Sequence, residues 1–162
     1  MGVLHAFQLS LSLPKKEAVF QLNRVKTKDF LLYIVFLLLL VSLPNGVGLV
    51  RNSVSGGKFA KEFLIILFAY PSSVILLGMA TVSLLAATGL AIRKLARRKL
   101  VYQLLWKMSV YALTYPVLLI SVFNLFGITH WLLNLLALVI FLVIFTGMIL
   151  AYPKVRQPAV KR

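Results

Sequence analysis

Four stretches of this chain are too long and too free of charge to be the inside of a small soluble domain. Residues 30–50, 63–92, 108–126 and 131–152 contain no Asp, Glu, Lys, Arg or His. About 20 helical apolar residues cross the hydrocarbon of a bilayer. A water-soluble domain of this length has no core large enough to hide four such segments, because much of its surface stays in contact with solvent. Composition agrees: 61% of the 162 residues are hydrophobic and 13% are charged. Residues 37–41 and 135–144 are apolar at nearly every position, without the alternation of an outer-membrane strand. The expected fold is therefore all-α, an integral membrane bundle of four transmembrane helices.

The spans are expected at about 30–50, 63–92, 106–126 and 131–152. Pro44, Asn45 and Gly46 loosen the end of the first. Pro71 stands eight residues into the second run, which is longer than one straight crossing needs, and should kink it or separate an interfacial entry from the span. Pro116 falls in the middle of the third. Gly127, Ile128, Thr129 and His130 allow only a tight turn, so the third and fourth helices should form an antiparallel hairpin. Trp131 and Tyr152 bracket the fourth at the two interfaces, and Pro153 stops it.

Residues 1–29 lack the positive n-region and small-residue cleavage site of a signal peptide. From Pro14 and Lys15 onward, Ala18, Val19, Leu22 and Val25 recur at helical spacing among Lys16, Glu17, Gln21 and Arg24. This reads as an N-terminal amphipathic helix lying on the membrane surface. The organisation is thus a cytoplasmic amphipathic segment (1–29), a transmembrane domain (30–152) and a basic cytoplasmic tail (153–162).

The net charge is +15, from 18 Lys and Arg against three acids. A nucleic-acid binder would spread such charge over a soluble face interleaved with stacking aromatics. Here the cations stand in clusters between uncharged runs, so nucleic acid is not the expected partner. Placing both termini in the cytoplasm puts fifteen cations inside and three, Arg51, Lys58 and Lys61, outside. The expected location is the cell membrane, with both termini in the cytoplasm.

Chemistry is sparse. The acids Glu17, Asp29 and Glu62 lie outside the uncharged runs, and His5 and His130 stand on opposite sides of the expected membrane. No catalytic, cofactor-binding or metal-ligating set follows from them, and with no cysteine there is neither disulfide nor thiolate. Gly56-Gly57-Lys58 lacks the upstream glycine of a phosphate loop. An enzyme is not expected. Ion-coupled transport usually needs ionisable groups inside the membrane, and none is present in the uncharged runs. Ser72, Ser73, Thr81, Ser83, Thr88, Thr114, Ser121, Asn124, Asn134 and Thr146 read as helix-packing polar groups rather than a solute path.

Two surfaces remain as candidate sites. Ala80, Ser83, Ala87 and Ala91 follow three- and four-residue steps and form a small-residue face, read first as intramolecular packing and otherwise as contact with a membrane-protein partner or a second copy. Arg93, Lys94, Arg97, Arg98 and Lys99 crowd five cations into seven positions beside a span, which suits anionic lipid.

Two segments carry a family resemblance. Ser12-Leu13-Pro14-Lys15, and Tyr102-Gln103-Leu104-Leu105-Trp106-Lys107-Met108-Ser109-Val110-Tyr111-Ala112-Leu113-Thr114-Tyr115-Pro116, resemble a bacterial domain-of-unknown-function family of membrane proteins, found mainly in Gram-positive bacteria, that includes the maltodextrin-utilisation protein MalA. The family has no established reaction, so the resemblance implies location and architecture. Its members usually carry an extracytoplasmic insert between the first two spans, where this chain has only residues 51–62, making it a short member. The expected function is that of a non-catalytic accessory or scaffold subunit, linked to sugar uptake or the envelope; the alternative is a component of a small-solute transporter or channel.

Overall fold

The computed structural model describes residues 2–57, 59–128 and 130–153. The cationic tail expected beyond Pro153 lies outside them. The described residues are helical without strands. They form α1 (Val3–Leu11), α2 (Lys16–Asn23), α3 (Thr27–Ser55), α4 (Phe59–Leu64), α5 (Tyr70–Leu95), α6 (Tyr102–Ala112), α7 (Thr114–Leu125) and α8 (Trp131–Ala151). Four segments are long and apolar enough to cross a membrane: Thr27–Ser55, Glu62–Leu95, Tyr102–Leu125 and Trp131–Ala151.

Each proline acts differently. The first span does not loosen at Pro44; α3 runs through it to Ser55. Pro44 has no N–H to give the carbonyl of Leu40, four residues earlier. Ser121 Oγ on α7 donates to that carbonyl at 3.1 Å instead, so the orphaned acceptor is satisfied and the helix continues. In the second span, Ile65–Ala69 is a π-helical turn that leads directly into Tyr70-Pro71. The expected kink is thus a change of helix type, which absorbs the missing N–H without ending the helix. In the third span α6 passes into α7 at Leu113, three residues before Pro116, with the backbone still helical and the Leu113 amide donating to Ser109 O at 3.0 Å. Tyr152 adopts extended backbone ahead of Pro153 and ends α8.

The α7–α8 hairpin is as tight as expected. Gly127 takes φ 71°, the amide of Ile128 donates to Phe123 O at 3.0 Å, and that of Gly127 to Asn124 O at 3.0 Å. This closes α7 in a Schellman turn. His130 caps α8, its Nδ1 accepting from the Leu132 amide.

The third span is the hub of the bundle. Half of its most apolar window is buried inside the protein, against 22%, 0% and 33% for the first, second and fourth. α6 packs on α5 and α8, and α7 on α3 and α8. Where α5 crosses the others, Gly89 touches the ring of Phe145 and the side chain of Leu105; a Cβ there would lie 2.7 Å from Phe145 Cζ. Small residues permit such approaches, and van der Waals contact then holds the helices.

The amino-terminal region differs from expectation. Two helices replace one, joined by residues 12–15 with a cis Leu13–Pro14 peptide. The apolar stripe Ala18, Val19, Leu22 and Val25 is buried against the bundle, with α2 on α6 and α8, rather than spread on a membrane surface. Helical spacing identifies an apolar face but not what covers it. α1 wedges against α3 and α7, and Pro14 sits on Gly147 of α8.

Candidate functional site

The five cations of the α5–α6 connection divide into two kinds. α5 closes with the same Schellman pattern as α7: the Arg98 amide donates to Arg93 O at 3.0 Å and the Arg97 amide to Lys94 O at 3.2 Å. The left-handed position, usually glycine, is Arg97 with φ 50°. The Arg93 guanidinium donates to Leu100 O, and the Arg98 guanidinium to Tyr152 O at the end of α8. These two arginines staple the loop to itself and to the last span. Lys94, Arg97 and Lys99 remain exposed. All five line an open groove of about 630 Å³, completed by Leu90, Leu100 and Val101. No acid lines it.

The small-residue face expected on the second span is not the surface on which this chain packs. Ala80, Ala87 and Ala91 are exposed, and only Ser83 is engaged, its Oγ accepting from Trp106 Nε1 at 3.3 Å. The close intramolecular approach uses Ala86 and Gly89 instead, on a different side of the helix. Two small-residue stripes run along one helix, and spacing alone does not say which meets the bundle.

Polar groups inside the spans mostly serve the backbone. Ser72, Ser73, Thr81 and Thr88 donate to carbonyls of their own helix. Between α3, α5 and α6–α7 lies an apolar cleft of about 330 Å³, lined by residues such as Leu38, Leu77 and Val117. Its chemistry suits hydrocarbon, not a hydrated solute.

A buried hydroxyl chain was not foreseen. Ser10 Oγ lies 2.7 Å from the Tyr33 hydroxyl, which lies 2.5 Å from Thr114 Oγ1. The carbonyls of Phe7 and Tyr111 stand at its ends as acceptors for Ser10 and Thr114, and the three hydroxyl protons are shared over these four contacts. It joins α1, α3 and the α6–α7 junction. The signals available in the sequence were Thr114, read as a helix-packing group, and Tyr33, a lone hydroxyl in an otherwise apolar run. Nothing local names partners 23 and 81 residues away.

The acids and histidines do not converge. Glu62 accepts from Ser53 Oγ beside the α3–α4 turn, Glu17 is exposed on α2, and His130 caps α8. Among the described residues no group of His, Cys, Asp or Glu could hold a metal ion.

Four helices long and apolar enough to cross a membrane, with a tight hairpin and a cation-rich loop among their connections, have the make-up of a multi-pass membrane protein. The chain belongs to the family described as protein of unknown function (DUF1189), whose model matches residues 50–150. That range runs from the carboxyl-terminal part of α3 almost to the end of α8. It includes the Tyr102 to Pro116 segment, which forms α6 and its junction with α7, but not the Ser12 to Lys15 segment. No curated protein and no solved structure matches the chain.

Proposed function

We propose that this protein is a non-catalytic accessory subunit of the bacterial cytoplasmic membrane, with both termini in the cytoplasm, that packs through its second span against another membrane protein. One observation carries the reading: the most apolar stretch of Glu62–Leu95, which ends before Ala86, has none of its residues buried within the chain, and the helix goes on to expose Ala87 and Ala91 as it does Ala80. Small side chains gain nothing over Leu in contact with lipid, but they let a second helix approach closely. The resemblance to a family that includes a maltodextrin-utilisation protein directs the search for that partner to sugar uptake and the envelope. The uncharged span interiors and the apolar character of the central cleft favour this over a transporter component.

The test is capture from mild detergent. Ala80→Leu with Ala87→Leu should abolish recovery of the partner while membrane insertion and monomer yield stay as in wild type. Ser83 is left intact because it serves Trp106. Purified protein that moves a solute across liposomes unaided would overturn the reading.

A further inference from the structure

We propose that the groove at the α5–α6 turn is a binding site for one anionic phospholipid, its headgroup phosphate held by Lys94, Arg97 and Lys99 and its glycerol and upper acyl region resting on Leu90 and Val101. The inference is independent of any protein partner. The groove, of about 630 Å³, joins five cations to aliphatic residues, with no acid in its lining. A loop serving only to bias topology needs charge, not a concavity.

The two arginines that face inward make the site rigid. Each guanidinium carries five N–H donors, and Arg93 and Arg98 each use one on a backbone carbonyl, fixing the loop against Leu100 and the end of α8. The Nε–H of Arg98 is buried and has no acceptor among the described residues. Arg97 holds a left-handed backbone that glycine would adopt with less strain, and this geometry keeps its side chain exposed beside Lys94 and Lys99. Leu95 and Val101 are exposed beside them, at 86% and 68%, an arrangement that water disfavours and the headgroup–acyl boundary accepts.

The test is a titration of phosphatidylglycerol against the full chain in neutral detergent, read as bound lipid by native mass spectrometry, with phosphatidylcholine as the reference lipid. Wild type should retain one phosphatidylglycerol in preference to phosphatidylcholine. Lys94→Gln, Arg97→Gln and Lys99→Gln together should weaken it by roughly fivefold per cation, on the order of a hundredfold in all. Removing three cations that do not line the groove, by Lys15→Gln, Lys16→Gln and Lys28→Gln, should leave it unchanged. Equal loss in both triple variants would mean diffuse charge and overturn the site, as would equal retention of the two lipids. Displacement of the lipid by excess inorganic phosphate would reassign the groove to a soluble anion.

Discussion

Single residues here are best understood by asking which backbone group each one satisfies. Inside a bilayer no water can replace a missing partner, so the Leu40 carbonyl freed by Pro44 depends on Ser121. Ser121→Ala should destabilise the bundle by about 1–2 kcal/mol, measured by unfolding in mixed micelles. Pro44→Ala restores an amide to Leu40, so the double variant should lose much less than Ser121→Ala alone. Additive losses would show that the hydroxyl contributes in some other way. Tyr33→Phe removes the middle of the buried hydroxyl chain but leaves Ser10 and Thr114 their carbonyl acceptors, and should cost about 1 kcal/mol. Arg97→Gly relieves a left-handed arginine, stabilising the fold by up to about 1 kcal/mol while lowering phosphatidylglycerol retention. A stability gain with unchanged lipid would separate the turn from the site.

At the scale of elements, the existence and number of spans were legible because a bilayer imposes a length and forbids charge, and both can be counted along the chain. Their internal irregularities were legible only in part. Pro44, Pro71 and Pro116 are equally visible as letters, yet they leave a continuous helix, a π-helical turn and a junction at Leu113. At Pro44 the side chain that meets the freed carbonyl, Ser121, comes from another helix. The same holds for the faces of α5. Gly89→Leu should disrupt α5 against Phe145 and Leu105 and reduce folded yield, whereas Ala87→Leu should not, as judged by size-exclusion profile in detergent. If both behave alike, the second span is not held at Gly89.

For the whole molecule, the orientation rests on charge. With no native cysteine, Ser55→Cys should react with an impermeant thiol reagent applied from outside intact cells, and Lys99→Cys only after lysis. The reverse pattern would invert both the topology and the side on which the lipid groove lies. The amino-terminal helices pack on four helices of the bundle, α1 against α3 and α7, α2 against α6 and α8.

Hydropathy and charge act locally and additively, so four crossings, a tight hairpin at Gly127 and a cation cluster after the second span could be read from consecutive residues. Which of two small-residue stripes on α5 faces inward, that the stripe of Ala18, Val19 and Leu22 is covered by protein, and that Arg93 and Arg98 are staples while Lys94, Arg97 and Lys99 stay free, were decided by tertiary structure. Each of these depends on a partner far along the chain, Phe145 for Gly89, Tyr152 for Arg98, Ser121 for Leu40, and the residue itself carries no mark of that partner.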